Sequence, residues 1–375
     1  MIAEYPAPPL LTPDDRIGLL GDAHGDLGDI LQAARSLREM DINTLIVLGD
    51  FAVVWPGENW GHNLDRLANR LNKLGQTLYF LHGNHDWIPR LMEFPLSADG
   101  LRWLRPSIAY MATGFRAEFA SGREFVVIGG ANSIDREMRT EGKSWWPEES
   151  ITWADLDAVG TDHADIMFGH DSPLDLMELD RRFASTDRYW SDESLEYALQ
   201  GRRMLTKALH AVGPELFVGG HQHFHLDEVI GYLGYVANRS RVVILDKLQA
   251  TQTASVAILD TSTLELDYLT TAGVAVPPVP QVTDLADVHS GRWAVHTVGS
   301  IHVFDLDRRT VTRHPGRYAL RGPNDRELDL RTLDCGRIGE MGRWTMYSDD
   351  FLTDFLWHRS SLIRHIERLT AEEGS

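Results

Sequence analysis

Six short apolar runs, each stopped by glycine and a polar residue, constrain this chain more than any other feature: RIGLLGDAHG (16–25), TLIVLGDF (44–51), TLYFLHGNHD (77–86), EFVVIGGANS (124–133), ADIMFGHDSP (164–173) and ELFVGGHQH (215–223). Runs this short do not make buried helices; bounded by glycine, they suit strands buried on both faces of an α/β sheet. Between the first three lie GDILQAARSLREM and NLDRLANRLNKLG, in which apolar residues recur three and four apart and a glycine closes the second. Strand, helix, strand, helix is a β-α-β rhythm. The later strands YLGYVANRS, VVILDK and SVAILDTSTLELDYL follow without helices between them, so the sheet is expected to be mixed or doubled.

Residues 171–210 interrupt this rhythm with a charged, helix-compatible insert that carries Arg181, Arg182, Arg188, Arg202 and Arg203. Such inserts serve as lids or binding elements, or are solvated helical excursions. The Pro- and Val-rich stretch 271–290 reads as a linker, which bounds a catalytic domain at 1–270 and a small accessory domain at 291–375. In the accessory domain, RWAVHTVGSIHVFDLDRRTVTRHPG alternates as strands do, and DFLTDFLWHRSSLIRHIERL reads as an amphipathic helix.

The chemistry-bearing residues stand at the carboxyl ends of the expected strands: Asp22 and His24, Asp50, Asn84 and His85, His170, then His221 and His223. Groups just beyond the strand ends of an α/β sheet converge on one crevice. One pocket would then collect carboxylates, imidazoles and a carboxamide, a set without thiolate that favours hard or borderline divalent ions. Glycines flank nearly every member, which lets the backbone turn sharply beside the site.

The blocks GDAHG, GDF, GNHD, GH and GGHQH, in this order over the first 225 residues, resemble the five-block signature of the calcineurin-like metallophosphoesterases. The resemblance implies a fold of two mixed β-sheets flanked by helices, with a two-metal centre at the strand ends. It implies that Asp22, His24 and His223 hold one divalent ion, that Asn84, His170 and His221 hold the other, and that Asp50 bridges both. Manganese is the expected metal, with iron, zinc or nickel as alternatives. The implied reaction is hydrolysis of phosphate mono- or diesters by in-line attack of a hydroxide bridging the ions. His85 is similar to the family histidine that contacts the phosphate and protonates the leaving oxygen, with Asp86 expected to orient it. His225 has no counterpart in the pattern and is expected to be structural. Where many members read GDxxDRG, this chain reads GDFAVVWPG, which sets it apart from the phosphoprotein-phosphatase branch. The stretch 129–149 is similar to a small bacterial and phage-type subgroup. Its Asn132, Arg136, Arg139 and Lys143 are candidates for substrate phosphate, with Trp145 and Trp146 expected to pack the segment down.

Composition narrows the partners. The formal charge of -19, from 55 acidic against 36 basic residues, repels long nucleic acids and anionic membranes unless a site is locally positive. The opening MIAEYPAPPLLTPDDR has no basic start followed by an apolar run, and the single Cys335 allows no intrachain disulfide; both suit a cytoplasmic protein. No G-x-S-x-G elbow and no G-x-x-x-x-G-K-[ST] loop is present. The expected substrate is a small nucleotide-like phosphate ester. A nuclease on the same centre and a non-catalytic interaction scaffold are the alternatives, with oligomerisation through the C-terminal unit.

Overall fold

The computed structural model describes residues 9–57, 59–234, 236–322, 325–349 and 352–369; the opening residues 1–8, read above for a leader, lie outside them. Among the described residues, strands form two sheets and a closed barrel. The first sheet has eight strands in the order Ala275–Val276, Leu266–Leu269, Val256–Asp260, Arg16–Leu20, Thr44–Val47, Thr77–Phe80, Ile108–Tyr110 and Arg102–Arg105. Its four strands from Arg16–Leu20 to Ile108–Tyr110 run parallel, so their carboxyl ends share one edge. The second has seven, in the order Leu10–Thr12, Arg116–Phe119, Glu124–Ile128, Ile166–Gly169, Leu216–Gly219, Arg239–Ile244 and Leu226–Gly231. Here too Glu124–Ile128, Ile166–Gly169 and Leu216–Gly219 are parallel neighbours.

Both faces of the first sheet are buried, which explains its unbroken apolar runs. On one face Ile17, Leu19 and Ile46 join Phe125, Val127 and Phe168 of the second sheet in a single core. On the other, Leu20, Leu45 and Val47 meet the helices Leu27–Glu39 and Trp60–Leu74. The first helix buries Ile30, Ala33, Ala34 and Leu37, a stripe at helical spacing, and starts where the Asp26 carboxylate accepts from the N–H of Gly28 and Asp29. The second buries Leu64, Leu67, Ala68 and Leu71 and ends at Gly75, whose φ of 68° is left-handed. Each helix thereby returns the chain to the next parallel strand. The fold is the two-sheet, helix-flanked arrangement expected, with an additional antiparallel β-unit.

The chain divides into two compact units, 1–227 with 242–279, and 228–241 with 280–375. The division at 279/280 falls within the stretch 271–290, and residues 228–241 join the second unit. Ala275–Val276 pairs with Leu266–Leu269, and Leu285 is fully buried in the core of the second unit. Residues on both sides of position 279 are thus held, by two edge-strand residues before it and one core anchor after it. Of the stretch YLGYVANRS, Arg239 and Ser240 belong to the strand Arg239–Ile244, and the Tyr232 N–H bonds the Asn238 carbonyl.

The barrel runs Arg292–Thr297, Ser300–Asp305, Thr310–Pro315, Glu327–Cys335, Met341–Tyr347, Phe355–Arg368 and closes on itself. The last of these corrects the expected C-terminal helix. Phe355–Arg368 is a 14-residue strand paired with Met341–Tyr347 and Arg292–Thr297. Its pairing with Arg292–Thr297 skips one residue, from His296↔His365 to Thr297↔Ile363. This irregularity breaks the alternation, so Leu362, Ile363 and Ile366 fall at spacings that imitate a helix. Among the described residues no helix is long and apolar enough to cross a membrane. Cys335 is buried and unpaired with another cysteine.

Candidate metal centre

The loops after the parallel strands bring all seven expected ligands to one edge. Asp22 follows Arg16–Leu20, Asp50 follows Thr44–Val47, Asn84 follows Thr77–Phe80, His170 directly follows Ile166–Gly169, and His221 and His223 follow Leu216–Gly219. His24, Asp50, His221 and His223 have left-handed backbones with φ of 47°, 48°, 66° and 52°. Such conformations cost non-glycine residues roughly 1–2 kcal/mol each and persist where the surroundings impose them. The loops are bent to aim side chains. Close approach also demands glycine. A Cβ on Gly83 would stand 2.2 Å from Asp50 Oδ1 and 2.4 Å from His170 Nε2, and one on Gly220 2.2 Å from Asp22 Oδ1.

Donor atoms of Asp22, His24, Asp50 and His223 all lie within 4.8 Å of one another. His223 Nε2 is 3.2 Å from Asp22 Oδ2, His24 Nε2 is 2.9 Å from His223 Nε2, and His24 Nδ1 is 3.7 Å from Asp50 Oδ2. A second group adjoins through Asp50. His170 Nε2 is 3.3 Å from Asp50 Oδ1 and 3.1 Å from Asn84 Oδ1, and the rings of His170 and His221 are 5.1 Å apart. The Asn84 amide is oriented from behind: its Nδ2 donates to Ser133 Oγ at 2.9 Å, and that hydroxyl donates to buried Glu149 at 2.6 Å. The amide oxygen is thereby turned toward His170. Asp22 accepts the His221 N–H at 3.0 Å, and Asp50 Oδ1 accepts that of His85 at 2.7 Å.

One atom in this network has no partner. Asp50 Oδ2 is buried without a hydrogen bond. A lone buried carboxylate oxygen is costly unless a cation satisfies it. The electrostatics agree. Burial would raise Asp50, but the charge and the hydrogen bond of His170 hold it well below the usual carboxylate range. Burial lowers His24, and burial together with the His170 charge holds His221 well below its ordinary value. Both shifts favour the neutral imidazole, the form that binds metal. Burial alone would lower His170 too, yet Asp50 and Asp22 raise it to about 10. Two buried carboxylates therefore draw positive charge to this spot, and the donor set fits divalent ions.

Around the ligands the structure redistributes several expected roles. Asp86 does not orient the His85 imidazole. Its carboxylate accepts from the backbone N–H groups of Phe51, Ala52 and Gly83 at 3.3, 2.7 and 2.8 Å, tying the second and third loops together. The group against His85 is Arg139, whose Nη2 donates to His85 Nε2 at 2.8 Å while Asp135 holds its Nε at 2.8 Å. A guanidinium only donates, so His85 Nε2 carries the lone pair. Burial lowers the His85 pKa and the nearby Arg139 charge lowers it further against the opposing charge of Asp50, which favours the neutral ring. Arg139 Nη1 is buried without a partner, beside the cavity that holds Asp50 and Asn84.

Asn132 and Arg136 are occupied elsewhere. The Asn132 amide donates to the Tyr197 carbonyl at 2.7 Å, clamping the helix Asp192–Val212, and the Arg136 guanidinium lies 4.8 Å from the Trp145 ring and 4.7 Å from that of Tyr197. Trp145 and Trp146 are buried as expected of packing residues. His225 is structural, its Nδ1 donating to the Ile244 carbonyl at 3.0 Å and its ring 4.5 Å from Tyr268. The insert is helical, Met177–Thr186 and Asp192–Val212, and its Phe183, Trp190 and Arg202 wall the cavity beside the ligands. Those aromatic walls, and the Trp55 and Asn63 that line a second cavity bordered by His24 and His85, carry no local sequence signal.

Carboxylates, imidazoles and a carboxamide gathered at the strand ends of a double mixed sheet define a metal-dependent hydrolase class of site. The family model described as Calcineurin-like phosphoesterase matches residues 15–225, and the chain belongs to that family. It is accordingly a hydrolase of phosphate esters from a family that uses a dinuclear metal centre, and its substrates are phosphate esters. Among solved structures it is similar to TT1561 of Thermus thermophilus, at 13% identity over 68% of this chain and 98% of that one, with a TM-score of 0.42. Another is a conserved uncharacterized protein, a predicted phosphoesterase, from Streptococcus pneumoniae TIGR4, at 9% identity over 70% and 95% of the two chains and a TM-score of 0.26. No curated protein sequence matches the chain.

Proposed function

We propose that the centre binds two divalent ions, manganese in the first instance, and hydrolyses phosphate mono- or diesters of small, nucleotide-like molecules. Asp22, His24 and His223 would hold one ion, Asn84, His170 and His221 the other, and Asp50 both. The unpartnered buried oxygen of Asp50, at the junction of the two donor groups, carries this reading. Two bound divalent ions supply Lewis acidity toward the phosphoryl group and lower the pKa of water at the site.

The chain's own residues do the rest. Ser133 and Glu149 fix the Asn84 oxygen, and the Gly83 and Ala52 amides locked on Asp86 keep the Asp50 and Asn84 loops in register. Arg139 presents an unused N–H to the cavity, suited to a phosphoryl oxygen. His85 keeps its Nε2 lone pair toward Arg139, so the free donor at this wall is the guanidinium and His85 positions it. The test is turnover of bis(p-nitrophenyl) phosphate and p-nitrophenyl phosphate by manganese-loaded protein, with bound metal quantified. Hydrolysis of either, lost in Asp50→Asn, is expected; inertness toward both with metal bound would overturn the proposal.

A further inference from the structure

The centre is flanked by two cavities rather than one. The first, about 350 Å³, is lined by His24, Ala52, Val53, Trp55, Asn63 and His85. The second, about 310 Å³, opens beside Asp50, Asn84 and His223 and is walled by Ile134, Phe183 and Trp190. His85 borders both. Each volume lies at the lower end of small-molecule pockets. A phosphomonoester has one organic arm and would leave one cavity to water.

The two differ in chemistry. The first offers the Asn63 carboxamide, from the first turn of the helix Trp60–Leu74, beside the Trp55 indole, whose ring stands edge-on to Trp146 at 5.2 Å. An amide beside an indole suits a polar arm with a ring, such as a nucleoside. The second cavity presents aromatic and aliphatic faces, with Arg202 stacked at 5.0 Å on Phe183 and the unpartnered Arg139 Nη1 at its edge. Its insert wall is fastened down: Ser191 and Ser194 donate to Glu137 at 2.9 and 3.2 Å, next to the segment that carries Arg139.

We infer that the substrate is a small phosphodiester with two organic arms, a polar one seated against Trp55 and Asn63 and an aromatic or apolar one seated against Phe183 and Trp190. This rests on the phosphoesterase reading above and narrows it from mono- or diesters to diesters. The charge of -19 on the chain favours small diesters over polyanions.

The experiment uses the full manganese-loaded chain with thymidine 5′-(p-nitrophenyl) phosphate, which has one polar and one aromatic arm, and with p-nitrophenyl phosphate. A kcat/KM at least tenfold higher for the diester is expected. Asn63→Ala, a helix-compatible change, and Trp190→Ala should each lower the diester-to-monoester ratio at least fivefold. Calorimetric titration of the manganese-loaded chain with non-hydrolysable phosphonate analogues of the two esters reads binding without turnover, and the diester analogue should bind at least tenfold more tightly. Equal or faster monoester turnover with equal affinities overturns the two-arm site. Inertness toward both esters overturns the phosphoesterase reading instead, and the affinities then decide the two-arm site alone. Salt-sensitive binding of a single-stranded oligonucleotide tighter than that of the small diester would mark a polymer substrate and overturn the inference.

Discussion

A single methyl group placed at Gly83 tests the centre most directly. A Cβ there would sit 2.2 Å from Asp50 Oδ1, 2.4 Å from His170 Nε2 and 2.6 Å from the Asp50 nitrogen. Carbon does not approach oxygen or nitrogen so closely, so Gly83→Ala must push Asp50 and His170 apart by about 1 Å. Gly83 is absent from the left-handed residues, so alanine adds no backbone penalty. Overpacking of this kind costs about 1–3 kcal/mol. If the cost falls on the metal-bound geometry, manganese affinity drops roughly 5- to 150-fold. Calorimetric titration of manganese into EDTA-stripped, dialysed protein measures it, with thermal melting confirming the fold. Gly61→Ala is the control: its Cβ meets nothing within 4 Å, in a helix where alanine is preferred. Manganese affinity within twofold of wild type in folded Gly83→Ala protein would refute the convergence of Asp50 and His170 on one metal centre.

Asp50→Asn removes the carboxylate shared by both donor groups; a loss of about 3 kcal/mol or more, at least a hundredfold in kcat/KM, should appear in bis(p-nitrophenyl) phosphate assays. Ser133→Ala frees the Asn84 amide from its orienting hydroxyl and should weaken manganese roughly 10- to 100-fold by calorimetry. Arg139→Lys keeps the charge but loses the fork held by Asp135 and His85; kcat/KM should fall about tenfold. In the barrel, burial and the neighbouring His358 push His302 down to about 3 from 6.5. Because the folded value is depressed, the neutral ring stabilises fully above pH 6.5 and this is lost as pH falls toward 3, amounting to about 2 kcal/mol by pH 5. Denaturant titrations at pH 8 and pH 5 should show that loss in wild type and a smaller one in His302→Leu; identical pH dependence would refute it.

The convergence of the candidate ligands on one edge was legible because each stands within a few residues of a strand end, where local pattern and parallel topology together fix its place. Hydrogen-bond partners were not. Asp86 neighbours His85 in sequence, yet its carboxylate spans to the Ala52 and Gly83 amides. Asn132 and Arg136 were drawn off by Tyr197 of the insert helix, with Trp145 also against Arg136, while Arg139 kept a donor at the cavity. The C-terminal strand was misread because one skipped pairing at Ile363 and His365 shifts its apolar residues onto helical spacing.

The order of strands, helices and glycine-bounded ligands is written in the chain, since burial on two faces and short apolar runs leave parallel strands as the solution, and parallel strands put their carboxyl ends on one edge. Only the folded structure decided which way Asn84 turns, what Asp86 and Arg139 touch, and that two cavities meet at His85. Those depend on distances of a few tenths of an ångström between segments far apart in sequence, and a one-dimensional pattern carries no such information.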